Sequence, residues 1–357
     1  MLNYEILKDF IEHSDLHEKM NDCSHHNDDG LSKHHLEGSV WTHTMLTYKE
    51  ANPDSLYELL MALCHDIGKI YTRKINDKGY TTFYNHDSAS VQPTINFLGY
   101  LYKKNAINTT EITQFINHCL PVIGNHILYY NSTEKLNYIA NGSSRTIDNL
   151  YKLSEMDGKG SICCDDSKKQ SYGKYQASDA LTFKQIPIDN NKQTITIWAG
   201  LPGSGKDYLA EKSGDTIVSF DDIRVDTYKK NISKDLWGDF SDELLYSNAF
   251  IYCIKKKINL TELLRQKIKA LDDTNISICN TSLTRKSRRT LINVIGAHKY
   301  NWIMKQVFCP IDTILERNQK RSCKTIPESV IANMSKRIEI ATLFENHISK
   351  IYYIFNQ

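Results

Sequence analysis

Apolar and polar residues follow helical spacing through the first 160 residues of this chain. The segments LYELLMALCHDIG, SVQPTINFLGYLY and EITQFINHCLPVI place apolar residues three and four positions apart, with no convincing strand pattern between them. The N-terminal segment MLNYEILKDFIEHSD has the same spacing and predicts a first amphipathic helix. We therefore expect an all-α bundle in the N-terminal half.

The pattern changes after residue 193. Short β-branched runs alternate with helical stretches, as is typical of a parallel sheet with crossover helices. The predicted strands are TITIWAG, TIVSF (216–220), ISICN (276–280) and NWIMKQVF (301–308). A polar stretch with little periodicity separates the two patterns. The sequence therefore predicts a multidomain chain: a helical domain over residues 1–170, a linker over 171–192 and an α/β domain over 193–357.

Composition and charge narrow the class of protein only slightly. The 357 residues suit two domains, and no run of about 18 apolar residues predicts a membrane span. The N-terminus lacks the pattern of a secretory signal, and the nine cysteines contain no CxxC pair, so we expect a cytoplasmic protein with reduced thiols. The net charge of +2 does not indicate nucleic-acid binding. The local basic groups at 285–289 and 317–324 predict either a phosphate-binding track or solvated helix faces.

The strongest motif follows the first predicted strand and precedes a helical stretch. It reads GLPGSGKD over residues 200–207. Glycines let backbone N–H groups wrap a phosphate, and the lysine adds positive charge at the β- and γ-phosphates. The motif therefore predicts ATP binding by Gly200, Gly203, Ser204, Gly205, Lys206 and Asp207. Asp207 replaces the usual Ser or Thr ligand of Mg²⁺, and its carboxylate either binds the ion or repels the phosphates.

Polar residues beyond this loop favour phosphoryl transfer to an acceptor. Asp221 and Arg224 follow the predicted strand TIVSF, at the edge where parallel sheets bind ligands. A carboxylate there can deprotonate an attacking hydroxyl, and an arginine can hold an acceptor phosphate. The basic segment ILERNQKRSCK predicts a lid whose arginine stabilises the transition state at the γ-phosphate.

In this order and spacing, GLPGSGKD, SFDDIR and ERNQKR resemble the 5′-hydroxyl polynucleotide kinase family over about residues 193–335. The resemblance implies four roles: ATP contact for Lys206, general base for Asp221, acceptor 3′-phosphate contact for Arg224 and lid arginine for Arg321. The chain departs from the family pattern at Asp207, where the family has Ser, and at Asn280, where it has Asp. Both departures concern the expected Mg²⁺ site.

The N-terminal half contains histidines and aspartates within helical segments. His43 lies in SVWTHTMLTY, His65 and Asp66 are adjacent in LLMALCHDIGKI, and Asp157 lies in LSEMDGKGS. A lone histidine on an apolar face is usually a core residue, but this combination favours a metal site. Imidazole and carboxylate ligands together suit Mn, Fe, Co, Ni or Zn, and such a metal makes water a nucleophile near neutral pH.

These residues resemble the HD phosphohydrolase superfamily, whose signature is a His, a His-Asp pair and a later Asp on a helical bundle. In members with two metals, further histidines follow the doublet, and the resemblance implies His86 and either His126 or His118; His126 is the expected ligand. Lys69, one turn beyond the doublet, is the expected contact for a substrate phosphate. His35 and Glu37 either line the pocket or end a loop. The residues Cys23, His25, His26 and His34 are interpreted as a polar loop.

The fusion of these two patterns resembles the HD-Pnk family of bacterial and phage end-healing proteins. The family implies removal of 2′,3′-cyclic, 2′- or 3′-phosphate ends by the first domain, and phosphorylation of a 5′-OH with ATP and Mg²⁺ by the second. The expected partners are RNA or DNA ends and a separate RNA ligase, with no membrane. Three alternatives stay open: a nucleoside or small-molecule kinase fused to a nucleotide phosphohydrolase, a cyclic-nucleotide or general phosphodiesterase, and a non-enzymatic binding module.

Overall fold

A computed structural model describes residues 2–30, 35–127, 136, 139–163, 185–271, 275–321, 324–345 and 347–357. The chain forms two compact units. The first comprises residues 1–185 together with 335–344, and the second comprises 186–334 and 345–357. Most of the linker predicted over residues 171–192 lies outside the described residues.

Within its described residues, the first unit is helical apart from one short antiparallel pair, β1 (Lys74–Ile75) with β2 (Thr81–Thr82). The helices described in it are α1 (Leu2–His13), α2 (Leu16–Asp22), α3 (Val40–Glu50), α4 (Leu56–Cys64), α5 (Lys69–Thr72), α6 (His86–Lys103), α7 (Thr109–His118), α8 (Leu120–Ile123) and α9 (Ser144–Gly160). The predicted helical N-terminal region is confirmed. No helix within the described ranges is long and apolar enough to cross a membrane.

Helix α4 lies at the centre of the first unit. Every residue from Leu59 to Cys64 is buried, because the helix packs against α1, α3, α6, α8 and α9. A helix that is apolar on all sides must lie inside the core. His65 and Asp66 follow α4 directly, so the position of this helix buries them both.

Side-chain caps define the start of two helices that carry site residues. Ser39 accepts a hydrogen bond from the Thr42 amide at the start of α3, and Ser143 accepts one from the Thr146 amide at the start of α9. Such caps satisfy backbone donors that have no partner within the helix. They set the first turn of the helices that carry His43 and Asp157.

Residues 335–344 belong to the first unit, although the sequence analysis placed all residues after 193 in the α/β domain. Ile340 is fully buried, and a Cβ built on Gly124 would lie 2.6 Å from its Cγ1. The Leu343 amide donates to Asn141 Oδ1 at 3.0 Å. The segment therefore contributes to the core of the first unit.

The second unit is a five-stranded parallel sheet flanked by helices. Its strands are β3 (Thr194–Ala199), β4 (Thr216–Ser219), β5 (Ile276–Cys279), β6 (Asn301–Phe308) and β7 (Ile348–Phe355), in the order β4-β5-β3-β6-β7. Its described helices are α10 (Lys206–Glu211), α11 (Phe220–Asn231), α12 (Asp242–Lys255), α13 (Leu260–Lys269), α14 (Arg285–Ile295), α15 (Ile311–Gln319) and α16 (Glu328–Ser335). The predicted α/β domain with a central parallel sheet is confirmed, and β7 adds an edge strand that was not predicted.

Arg288, from the basic group on α14, is fully buried. Its guanidinium donates to the Glu345 carboxylate at 2.7 and 2.5 Å and to the carbonyls of Ser282 and Leu283 at 3.0 and 3.1 Å. This arginine therefore stabilises the interior of the second unit and does not belong to a nucleic-acid track.

We expect Arg288→Met to lower the free energy of unfolding of the second unit by about 3–5 kcal/mol, because it leaves the buried Glu345 carboxylate without its cation. Denaturant unfolding of the full chain measures this change. The double variant Arg288→Met/Glu345→Leu should recover most of the loss, since it removes both charges. A loss below about 1 kcal/mol in the single variant would contradict the structural role.

Candidate functional sites

Asp66 lies at the centre of a buried group of imidazoles. Its Oδ2 lies 3.5 Å from His43 Nε2 and 3.4 Å from His65 Nε2. Its Oδ1 lies 3.2 Å from His86 Nε2 and 3.7 Å from His126 Nε2. All five side chains are buried. One carboxylate thus faces two pairs of imidazoles, one pair at each oxygen.

The other ring nitrogen of each imidazole has an oriented partner. In three of them Nδ1 lies 2.8–2.9 Å from a backbone carbonyl: His65 with Ala62, His86 with Phe83 and His126 with Ile123. In His43, Nδ1 lies 2.9 Å from Glu37 Oε1. A carbonyl oxygen only accepts, so Nδ1 of these three rings carries a hydrogen, and Nε2 is the ring nitrogen that faces Asp66. Metal-binding histidines are oriented in the same way.

His86 and His126 form the second pair of candidate metal ligands. Their Nε2 atoms are 3.1 Å apart, and both lie beside Asp66 Oδ1. Burial, followed by the neighbouring His86, lowers the pKa of His126 to about 3, so this ring is neutral near neutral pH. Two imidazole nitrogens and a carboxylate oxygen thus lie close together in a buried position. A divalent cation between them would be bound by all three atoms, and the donor set therefore fits a metal.

Asp157 completes the opposite side of the group. Its Oδ1 lies 3.0 Å from His43 Nε2 and 4.0 Å from His65 Nε2. Burial opposes a charge on His43, but the carboxylates of Asp157 and Glu37 outweigh burial and raise its pKa to about 9. A positive charge is therefore favoured at this position, whether a proton or a metal supplies it.

Lys69 lies in the same group. Its Nζ is 2.6 Å from Asp66 Oδ2 and 3.0 Å from His25 Nε2. Burial disfavours the charged form of Asp66, but the Lys69 ammonium and the imidazoles hold the pKa of its carboxyl well below the usual range. The cation needed to hold a phosphate group is thus next to the candidate metal ligands.

The sequence analysis missed His25 and left His35 and Glu37 undecided. The structure stacks the ring of His25 on His35, with centroids 4.1 Å apart, and places His35 Nδ1 2.8 Å from Glu37 Oε1. An isolated bridge between Ser24 and Ser39 closes the loop that carries these residues. His34 lies outside the described residues. His118, the alternative to His126, contacts Thr146 Oγ1 at 3.1 Å instead.

Gly68 lets the turn after Asp66 approach the first turn of α6. A Cβ at this position would overlap the His86 carbonyl oxygen and lie 2.7 Å from the Ser90 amide nitrogen. The Gly68 amide donates to Ser90 Oγ at 2.8 Å, and Ser90 Oγ donates to the His65 carbonyl at 2.7 Å. This close approach brings His86 to Asp66.

We expect Gly68→Ala to destabilise the first unit by about 1–3 kcal/mol, because the new methyl group overlaps backbone atoms that cannot rotate away. The separation of α6 from the Asp66 turn should also weaken metal binding. Thermal unfolding and the metal content of the purified protein measure the two effects. A variant with wild-type stability and wild-type metal content would contradict this account of Gly68.

The P-loop connects β3 to α10 in the second unit. Gly203 and Gly205 have φ values of +87° and +84°, which glycine adopts without strain. Lys206 begins α10, and its buried side chain places Nζ 3.4 Å from Asp207 Oδ2. Ser204 Oγ is buried and has no hydrogen-bond partner within the described part of the chain. The loop has the shape of a phosphate cradle with an unused donor.

The candidate oxygen ligands for Mg²⁺ in the second unit are Asp207, Asp222 and Asn280. Burial raises the pKa of the Cys279 thiol to about 12, and the negative charges of Asp207 and Asp222 add to this rise. Asn280 Oδ1 accepts from the Phe220 amide at 3.4 Å, while its buried Nδ2 has no partner among the residues described. Asp207 and Asp222 offer anionic oxygen atoms, whereas Asn280 offers a neutral one.

Asp221 lies in the first turn of α11, directly after β4. Its Oδ1 accepts from Arg224 Nη1 at 2.6 Å, and its Oδ2 lies 3.4 Å from Lys324 Nζ. Ser219 caps the helix by accepting from the Asp222 amide at 3.1 Å. The structure thus places Asp221 and Arg224 together at the carboxyl edge of the sheet.

Arg317, within the predicted lid segment, contacts the P-loop. Its Nη1 lies 3.5 Å from the Gly203 carbonyl oxygen, whereas Arg321 Nη1 donates to the Lys324 carbonyl at 3.3 Å. Arg317 lies on α15, whereas Arg321 lies beyond the end of that helix. Asn356 was also missed: its Nδ2 donates to the Ser204 carbonyl at 2.7 Å from the end of the unpredicted strand β7.

Residues 195–340 match the family model described as an AAA domain. A protein of Autographa californica nuclear polyhedrosis virus, named "Putative bifunctional polynucleotide kinase/RNA ligase", is 27% identical over 161 residues, which cover 43% of this chain and 22% of that protein. The chain thus spans about a fifth of the length of the curated relative it matches. These two matches support a P-loop kinase domain in the second unit, and such a domain uses ATP and Mg²⁺.

Two solved kinase structures are also similar to this chain. A sugar kinase from Janibacter sp. is 16% identical, has a TM-score of 0.31 and covers 46% of this chain and 85% of its own. A gluconokinase from Sinorhizobium meliloti is 15% identical, has a TM-score of 0.28 and covers 46% of this chain and 83% of its own.

Proposed function

We propose that the chain heals nucleic-acid ends at two separate sites. The first unit acts as an HD-type metal-dependent phosphohydrolase that removes 2′,3′-cyclic, 2′- or 3′-phosphates. The second unit transfers the γ-phosphate of ATP to a 5′-OH, and a separate RNA ligase would join the resulting ends. The observation that carries the first activity is the convergence of four imidazole Nε2 atoms on the Asp66 carboxylate.

Two groups of side chains would hold the metal in the first unit. His43, His65 and Asp157 with Asp66 Oδ2 form one group, and His86 and His126 with Asp66 Oδ1 form the other. A bound transition metal lowers the pKa of water and supplies hydroxide near neutral pH. Lys69 would hold an oxygen of the substrate phosphate, and Glu37 would fix the orientation of His43.

The second unit supplies the groups that transfer to a hydroxyl requires. Lys206 would neutralise the phosphates of ATP, and Asp221 would accept the proton of the 5′-OH. Arg224, which contacts Asp221, would bind a phosphate of the acceptor. The similarity to a protein named as a polynucleotide kinase supports a polynucleotide acceptor.

The test uses purified protein with ATP, Mg²⁺, Mn²⁺ and two oligoribonucleotides, one with a 5′-OH and one with a 2′,3′-cyclic phosphate. We expect a new 5′-phosphate on the first and loss of the cyclic end on the second. If neither end changes while a free nucleoside becomes phosphorylated, the small-molecule kinase alternative replaces this proposal.

A further inference from the structure

One face of α12 combines aromatic rings with cations beside Asp221. Lys324 Nζ lies 3.9 Å from the centroid of the Tyr246 ring, and the Arg224 guanidinium lies 5.2 Å from that of Phe250. Tyr246 and Phe250 are four residues apart and therefore share one face of the helix. Both cations also contact the Asp221 carboxylate. The rings thus lie next to the residue proposed to accept the proton of the acceptor hydroxyl.

Helices α11 and α12 run side by side in the same direction. Contacts between their residues follow the same order along both helices. Lys324 contacts both Asp221 on α11 and Tyr246 on α12. Further along, Arg224 contacts Phe250, and the rings of Tyr228 and Tyr252 have centroids 5.5 Å apart. The carboxyl ends of the two helices therefore lie on the same side. These ends carry five exposed lysines: Lys229, Lys230, Lys255, Lys256 and Lys257.

Charge differs between the two ends of this surface. The first turn of α12 contains Asp242 and Glu243, whereas its last turn contains Lys255 and is followed by Lys256 and Lys257; Lys229 and Lys230 lie in the last turn of α11. A chain of phosphates is repelled at the acidic end and attracted at the lysine end. From Tyr246 to Lys255 the helix extends about 14 Å at 1.5 Å per residue, a length suited to a few nucleotides.

The ring of Phe250 is available for a ligand. The residue is 49% exposed, although it lies beside a guanidinium and next to the candidate acceptor site. Unpaired bases stack on aromatic rings and on guanidinium planes, and lysines near such a ring, as at the carboxyl ends of these two helices, hold the backbone without reading its sequence. A sugar or another small acceptor has neither several bases nor a chain of phosphates to use this surface.

We propose that this face of α12 binds the single-stranded 5′ end of the acceptor, with a base stacked on Phe250 and the following phosphates directed towards the lysines. The inference rests on the proposed kinase function and identifies its substrate class as a single-stranded polynucleotide. Tyr246 and Lys324 form the wall next to Asp221, and Arg224 binds the phosphate nearest to the reacting hydroxyl.

The first test compares Phe250→Ala with Leu244→Ala, a change on the same helix at a residue of similar exposure, 46%. With a 5′-OH ten-nucleotide strand, Phe250→Ala should raise KM for the strand about 5- to 100-fold, the range expected when stacking on one ring is lost. It should leave KM for ATP unchanged. Leu244→Ala should behave as the wild-type protein.

The second test varies the length of the acceptor. Lys255→Glu/Lys256→Glu should weaken binding of the ten-nucleotide strand and reduce its dependence on salt, because fewer phosphates are neutralised. Phosphorylation of a nucleoside 3′-monophosphate should be unaffected, since this acceptor does not reach the lysines.

The outcomes separate the two proposals. If the wild-type protein phosphorylates no 5′-OH strand, the proposed kinase function fails and the inference fails with it. If the wild-type protein is active but Phe250→Ala matches Leu244→Ala, or the lysine variant affects both acceptors equally, the inference alone is overturned.

Discussion

Asp66→Asn should lower the removal of terminal phosphates at least about 100-fold and leave 5′ phosphorylation unchanged. Asparagine keeps the size of the side chain but removes the charge that faces two pairs of imidazoles and the Lys69 ammonium. Loss of residues that merely orient metal ligands costs about 10- to 100-fold, so loss of a shared ligand should cost at least as much. Hydrolysis of a 2′,3′-cyclic phosphate end and the bound metal per chain measure the effect.

A suitable control for this prediction is Asp148→Asn, which changes an exposed carboxylate on α9. It should retain metal and both activities. Full hydrolysis in Asp66→Asn would place the phosphohydrolase site elsewhere. Loss of 5′ phosphorylation in a folded Asp66→Asn protein would contradict the proposal of two separate sites.

Lys206→Ala should lower kcat/KM for transfer to a 5′-OH strand about 100- to 1000-fold. The side chain is buried at the start of α10 beside two loop glycines in the left-handed conformation, where its charge is poorly screened by water. Removal of one preorganised donor at a developing charge typically has an effect of this size. Transfer of label from the γ-phosphate of ATP measures the rate.

Lys212→Ala is the matched control for Lys206→Ala, because Lys212 is an exposed lysine at the other end of α10, over the Tyr208 ring. It should keep full kinase activity, and both variants should still remove cyclic phosphates. A Lys206→Ala rate within tenfold of wild type would mean that this loop does not hold the reacting phosphates.

Local sequence patterns predicted the elements and the residues that those elements carry. Helical periodicity fixed the character of the first unit, and a strand followed by GLPGSGKD located the P-loop. The doublet at 65–66 lies at the end of the most apolar helix, so its burial follows from the same periodicity. In the sequence, only the resemblance to a known family groups His43, Asp66 and Asp157. The contacts that bring them together arise when the helices pack.

Long-range contacts account for what the sequence did not reveal. His25 and Glu37 reach the candidate metal ligands from the loop between α2 and α3, which the bridge between Ser24 and Ser39 closes. Asn356 reaches the P-loop only because β7 pairs with β6 at the edge of the sheet. Arg317 and Arg321 are the same residue type in one basic segment, so the sequence does not show which of them contacts the P-loop. In the structure, the end of α15 lies between them.

The segment 335–344 affects how this chain could be divided. A fragment that ends at 185 would lack Ile340 and leave a gap beside Gly124, whereas a fragment that begins at 186 would carry buried apolar residues without their core. Recombination at a single breakpoint in the coding sequence would therefore leave at least one unit incomplete. Exchange of one unit between related genes would require two breakpoints around this segment, so the two units would tend to be inherited together.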